Sequence, residues 1–470
     1  MAGTDRVAVV VVMAALWATS AVARPDVPGS DLFTFDVGDV VVFADSEHFR
    51  VHYALAGTHA VPAADVDDSG VADHVEALLE LYENALATYA TMGFRAPVSD
   101  DGLPQNGGDA RFDVYLVDFA RSADGAYRSE RCEGAICSGY MVQENDFVGY
   151  GYPSVAVANR TVASHELFHA VQAAYDADQG AVVAEGTAVW ASERFDASLR
   201  DLEGFAYGYL DNAATPLDAG RGGPVDSFSY GAGIFFEYLS EAFDDAVVLE
   251  LWQGVADDID ESADWFVVVD EVLAERGSSF AEAFVEFSTW TLLTGDRFDV
   301  ERSFETGAQM SERDGTAKNL PIVEASFTVF TSSSRLLTAP VGPRTSLHAS
   351  VDGSAAALDG ISVLVLPLFA DGSAGDLVHA VDADIAIDVD GAANVFVLVV
   401  NARQQGGSAR PRLCVGDAEE VAACRDVDGG EGEGEGDGEV DSGGCASSSS
   451  SSSVLWSTAL LLLTVRRRRC

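Results

Sequence analysis

His165-Glu166-Leu167-Phe168-His169, running on into Ala170-Val171-Gln172, is the stretch from which the rest of the chain can be read. Residues four apart on an α-helix lie about 40° apart around its axis, so His165 and His169 share a face and can offer both imidazoles to one metal ion. Glu166, one step after the first histidine, points beside such an ion, where a general base for a metal-activated water belongs. An Ala/Val-rich approach over 155–162 leads into the motif, and Ala170, Val171 and Ala174 continue it. The pattern predicts a helix over 161–175 that the motif opens.

A catalytic zinc takes three protein ligands and keeps a fourth position open. Downstream lie Asp176, Asp178, Glu185 and Glu193. Asp176 and Asp178 fall at or just past the end of the same helix, from which returning to the metal is awkward. Glu185 starts the next helix after a turn containing Gly180, and the small residues of Glu185-Gly186-Thr187-Ala188-Val189-Trp190 allow close helix approach. Glu185 is the expected third ligand and Glu193, two turns on, the runner-up. Tyr230, ahead of a helix in a Gly-rich setting, is the candidate oxyanion donor, although a core or surface tyrosine reads the same way.

These residues resemble the glutamate-type zincins, and within them a metallopeptidase family of myxobacteria. The resemblance rests on His165 to Gln172, on Glu185 to Trp190, on Tyr230-Gly231-Ala232-Gly233-Ile234-Phe235-Phe236-Glu237-Tyr238-Leu239, and on an acidic loop near the N-terminus. It covers about residues 49–293. It implies His165, His169 and Glu185 as zinc ligands and Glu166 as base and proton shuttle, in a zincin-like domain of mixed sheet and helices.

The acidic loop is Asp65-Val66-Asp67-Asp68-Ser69-Gly70-Val71-Ala72-Asp73-His74-Val75-Glu76. It follows the twelve-residue calcium pattern, with oxygens from Asp65, Asp67, Ser69, Asp73 and Glu76, the Val71 carbonyl, and Gly at the sixth place. An Asp-rich turn capping the next helix is the plain alternative. His48 and His52 share one face of a predicted strand too far apart for joint chelation, which points to a surface or edge position.

Around these motifs the sequence predicts strands over 40–43, 49–55 and 111–119, and a helix over 75–89. Further helices are predicted over 182–195, 231–243, 246–255 and 281–293. From about residue 322, short apolar runs (327–330, 361–366, 395–400) separated by Gly, Asp and Pro predict an antiparallel β-sandwich. The class is α+β. A zincin-like domain is expected over 31–320, a β accessory domain over 321–415, and a disordered Gly/Glu/Asp/Ser-rich linker over 425–453.

Both ends carry addresses. Residues 1–23 combine Arg6, an apolar run and Ala21-Val22-Ala23, the marks of a cleaved signal peptide. Residues 454–470 are apolar and then basic, ending Arg466 to Arg469 and Cys470. With Gly443-Gly444-Cys445 they resemble a Myxo-CTERM sorting tail, which implies processing near Cys445 and retention at the cell surface; a plain tail anchor is the alternative. Export favours disulfides for Cys132 with Cys137 and Cys414 with Cys424. A net charge of −49, with Lys318 the one lysine, repels phosphate backbones and excludes nucleic acid as a partner.

The leading reading is an exported, surface-anchored zinc metalloendopeptidase, monomeric, acting on protein or peptide. A catalytically silent, zincin-like surface binding or adhesion protein is the second, and a zinc hydrolase of a non-peptide amide the third. The intact Glu166 favours turnover.

Overall fold

In the computed structural model, which describes residues 24–27, 33–219, 226–256, 264–379 and 386–426, the alternating apolar runs become one mixed sheet. Strands β1 (Val41–Asp45), β2 (Phe49–Ala54), β3 (Phe112–Val117), β4 (Gly125–Glu133) and β5 (Ile136–Glu144) lie in the order β1-β2-β3-β5-β4. β2, β3 and β5 run parallel, whereas the edges β1 and β4 are antiparallel to their neighbours. β2 shows how the sheet is buried on both sides. Phe49, Val51 and Tyr53 enter the main core, while Arg50 and His52 on the other face are paired with Asp45, Asp109 and Asp113. His52 is therefore an interior residue, not the surface or edge histidine its strand position suggests.

Helices cover the apolar face. α1 (Asp73–Thr91) buries Val75, Leu78, Leu79, Tyr82, Ala85 and Tyr89, one stripe at helical spacing. α2 (Val155–Gln172) carries the histidine motif and starts six residues earlier than its apolar approach suggested. Ser154 accepts a hydrogen bond from the Val157 N–H and caps it, so the motif sits deep within the helix and does not open it. Phe168, about 80° round the helix from the histidines, is fully buried with ring centroids 5.1 Å from both Tyr89 and Phe94. Removing such a ring costs roughly 3–5 kcal/mol.

Beyond α2 come α3 (Ala181–Phe195), α4 (Asp201–Leu210), α5 (Ser227–Gly231), α6 (Gly233–Ala242), α7 (Ala246–Ala256), α8 (Trp265–Glu275) and α9 (Phe280–Trp290). The predicted 231–243 helix is α6, preceded by the short α5. α4, α8 and the β4–β5 hairpin had no counterpart in the sequence reading. The hairpin's buried Arg128, Ser138, Gln143 and Glu144 break the apolar alternation that would have revealed it.

The C-terminal third is built from two larger sheets and a two-stranded pairing of Val329–Phe330 with Ser408–Ala409. Val378–His379, Ile361–Leu368, Asn394–Asn401, Ser333–Pro340 and Thr316–Ala317 form one; Ile387–Asp388, Ser346–Asp352, Arg412–Gly416 and Ile322–Glu324 form the other. Alternate residues (Leu337, Val363, Val365, Val397, Leu347, Leu413) enclose a second core. The intervening residues Leu364, Leu366, Phe396 and Leu398 turn outward and join the main helical core. The molecule is thus α+β with several mixed sheets.

Disulfides join Cys132 to Cys137 and Cys414 to Cys424. No helix among the described residues is long and apolar enough to cross a membrane. The expected signal peptide, the linker and tail from 427 on, Cys445 and Cys470 lie outside the described residues.

Candidate metal centre

Two buried helices bring the motif residues together. His165 is fully buried on α2, and Glu185, at 6% exposure, projects from the first turns of α3. His165 Nε2 lies 3.1 Å from His169 Nε2 and 3.2 Å from Glu185 Oε2, and His169 Nε2 is 3.4 Å from the same oxygen. Gly186, next to Glu185, lets α6 pack closely on α3. A Cβ there would stand 2.7 Å from the Phe236 ring of α6 and 3.3 Å from the Gly233 nitrogen. Burial works to raise the Glu185 pKa, but the field of His169 and bonds from both imidazoles outweigh it and hold the carboxyl below its ordinary value. Burial pulls His165 down to about 4, whereas for His169 the Glu185 carboxylate overcomes burial and pushes the imidazole up to about 9.

The second nitrogen of His169 is fixed by a directional chain. Thr187 Oγ1 donates to the Val183 carbonyl (2.7 Å) and accepts from Gln172 Nε2 (2.9 Å) and from Trp252 Nε1 (3.1 Å). Gln172 Nε2 also donates to the Ala184 carbonyl at 2.8 Å, so that end of the amide is the NH2 group. Gln172 Oε1, 2.8 Å from His169 Nδ1, must then accept. Nδ1 therefore carries a proton, which leaves Nε2, facing the cluster, as the nitrogen a metal would take in exchange for its proton. His165 is placed by packing instead, stacked on Tyr230 with centroids 5.6 Å apart.

Glu166 stands outside the trio. Its Oε2 accepts the Tyr127 N–H of edge strand β4 at 2.9 Å, and burial, opposed by His169, pushes the carboxyl up to about 7. The strand lies so close that a Cβ on Gly125 would meet Val162 at 2.5 Å and the Glu166 Cγ at 2.9 Å. Nearby Asp124 accepts from the Tyr152 hydroxyl at 2.5 Å and is itself pushed up to about 7 by burial. Tyr230 is 1% exposed, and its hydroxyl bonds to Glu185, beside the candidate ligands.

The other downstream acids do not join the cluster. Asp176 turns into the α2–α3 connection, accepting from the Asp178 N–H and from Gln179. Glu193, the runner-up ligand, faces Glu203, Glu237 and Asp201, and one of its oxygens has no hydrogen-bond partner among the described residues. In the acidic loop, carboxylate oxygens of Asp65, Asp67 and Asp73 gather within 4.8 Å of one another, and Glu76 is not among them. Ser69 Oγ instead bonds to the Val71 carbonyl and N–H. Asp36, Asp39 and His59 form a further grouping. There His59 Nδ1 accepts the Asp118 N–H at 2.9 Å, so Nε2 of the neutral ring holds the proton and has no lone pair for a metal.

The site thus defines an α+β protein with a buried His-His-Glu cluster able to hold a metal ion. No protein-family description matches the chain, and no curated protein does. Among solved structures it is similar to Legionella pneumophila aminopeptidase A in complex with aspartic acid, at 12% identity and a TM-score of 0.33. The match covers 78% of this chain and 36% of that one, so the chain spans about a third of that neighbour's length.

Gln172, Thr187 and Trp252 carry no metal-binding signature, and only Gln172's position three residues after His169 marks it. Gln172→Leu should weaken metal binding about 10–100-fold, measured by chelator competition, with the helical circular dichroism unchanged; Gln172→Glu, which keeps an acceptor, should lose less. For Glu193, burial and then Glu203 raise the pKa from 4.5 to about 8. The folded chain therefore holds this proton more tightly than the unfolded one, and stability drains away as pH rises between those values. Glu193→Gln should flatten the fall in melting temperature between pH 5 and 8, and slopes equal to the native protein's would contradict this placement.

Proposed function

We propose that this chain is a zinc metalloendopeptidase of the glutamate-type zincin class, exported through the 1–23 leader and held at the cell envelope through the 454–470 tail. The observation that carries the reading is the convergence of His165 Nε2, His169 Nε2 and Glu185 Oε2 at 3.1–3.4 Å from one another. Ligand atoms 2.0–2.1 Å from a tetrahedral zinc stand about 3.3–3.4 Å apart, so the trio fits three corners and leaves the fourth for water or substrate. One oxygen and two imidazole nitrogens, one of them aimed by the Gln172 bond to its ring partner, are a donor set that suits zinc.

A zinc ion held by His165, His169 and Glu185 would supply Lewis acidity to the scissile carbonyl and activate water for attack. Glu166, held by the Tyr127 N–H with a carboxyl near 7, is tuned to take a proton from the attacking water and pass it to the leaving amine. The Tyr230 hydroxyl bonds to Glu185, which supports a role in orienting that carboxylate and, once released from it, in meeting a developing oxyanion. Glu185 is ionised, as a ligand must be.

The native protein should carry about one zinc and cleave casein or peptides. Glu166→Gln should keep the zinc and lose cleavage by about 10²–10⁴-fold. Zinc without cleavage by either protein would sink the peptidase claim and leave the metal site standing.

The 65–76 loop is proposed to hold a structural calcium, on the strength of the gathered Asp65, Asp67 and Asp73 carboxylates. At an extracellular-type affinity of about 10⁻⁴–10⁻³ M, 10 mM calcium should add roughly 1.4–2.7 kcal/mol of stability. Thermal melts with calcium and with EGTA test this, and an Asp65→Asn/Asp67→Asn variant should show no difference between them. A native protein equally indifferent to calcium would refute it.

A further inference from the structure

Arg24 follows Ala21-Val22-Ala23 directly, so it is the first residue beyond the expected leader cleavage point. Its side chain is only 1% exposed. The guanidinium bonds to the carboxylates of Asp100 and Asp113, and to Glu130 through Nε–Oε1 at 3.0 Å and Nη2–Oε2 at 2.8 Å. The Tyr115 hydroxyl lies 3.5 Å from Nη1, and the Tyr140 ring centroid lies 5.4 Å from the guanidinium carbon. The walls come from separate places in the fold: Asp100 from the connection after α1, Asp113 and Tyr115 from β3, Glu130 from β4 and Tyr140 from β5. From β2, His52 braces the back, stacked flat on Tyr115 at 4.3 Å with Nε2 2.6 Å from Asp113.

Such a constellation is a receptor for one planar cation. Three carboxylates, two of them at 4% exposure or less and the third at 9%, face a single group whose fork of N–H donors engages all of them. A lysine ammonium would supply the charge without the fork. Burial pushes Asp100 up to about 6 even with Arg24 beside it, which marks the pocket as rich in carboxylate relative to cation.

We propose that Asp100, Asp113 and Glu130, with Tyr115 and Tyr140, form a guanidinium-binding site whose ligand is the chain's own Arg24, docked as the anchor of the processed N-terminus. The site is independent of the metal centre and of any catalytic reading. It fixes residue 24 as a structural element: a chain trimmed past it loses the cation on which three buried acids depend.

The test is chemical rescue in the otherwise complete, exported chain. Arg24→Ala should lower the melting temperature by about 3–6 °C, as loss of one partner in a buried charge cluster does in a chain of this size. About 10 mM guanidinium, far below denaturing levels, should restore at least half of that loss, while the same concentration of urea or sodium should not, and the native protein should not respond. A variant melting within 1 °C of native, or a loss that guanidinium leaves untouched, overturns the proposal. If Arg24→Ala does not accumulate, Arg24→Ala/Asp100→Asn should do so, because it removes an uncompensated carboxylate; a double variant no more stable than the single one also overturns it.

Discussion

The rest of this molecule depends on an ionised glutamate buried between two helices. Taking a carboxylate out of water costs several kcal/mol unless charge and hydrogen bonds replace the solvent. Glu185 finds its replacements on α2, in His165 and His169, and in the Tyr230 hydroxyl of α5. α2 and α3 are thereby bound to one spacing and one register. On its other side α3 has no room for a side chain at Gly186, where Phe236 and Gly233 of α6 press against it.

That constraint propagates outward through hydrogen bonds whose direction is forced. Thr187 spends its proton on the Val183 carbonyl, so it meets Gln172 and Trp252 only as an acceptor. Trp252 belongs to α7, so a helix with no residue in the cluster still belongs to the chain of bonds that turns His169 Nε2 toward it. Neighbouring acids stay outside for a related reason. Glu193, two turns along α3, faces other carboxylates and no cation of the cluster, and there protonation is its cheapest state at neutral pH.

Legibility in the sequence followed periodicity. His165, His169 and Glu166 could be placed because a four-residue step on a helix needs no tertiary knowledge, and Glu185 because small residues and a turn restrict where the next helix can go. α1 and β1–β3 had equally regular apolar patterns. The start of α2 was obscured because Val155, Val157 and Val162 look like an apolar lead-in, whereas the cap lies at Ser154. The β4–β5 hairpin, the burial of His52 and the Gln172 chain were not legible. Each is set by partners far away in sequence: Glu166 for Tyr127, Asp113 for His52, Trp252 for Thr187.

The hairpin is also where local sequence and distant demand meet most sharply. An edge strand has one neighbour, and a strand with Arg128, Glu130 and Arg131 among its residues has little apolar surface to hold it down. β4 is instead fastened at three points along its length. Its Tyr127 N–H is tied to Glu166, Glu130 to the Arg24 guanidinium, and Cys132 to Cys137 at the hairpin end. The returning strand adds Cys137 N–H to the Ala173 carbonyl, and the turn offers its Ala135 carbonyl to the Ala177 N–H, so the hairpin tip is clamped to the end of α2. A strand held this way keeps its backbone against the helix that carries Glu166 without needing an apolar face of its own. The polar composition that hid β4 from the sequence reading is thus the means by which it is held in place.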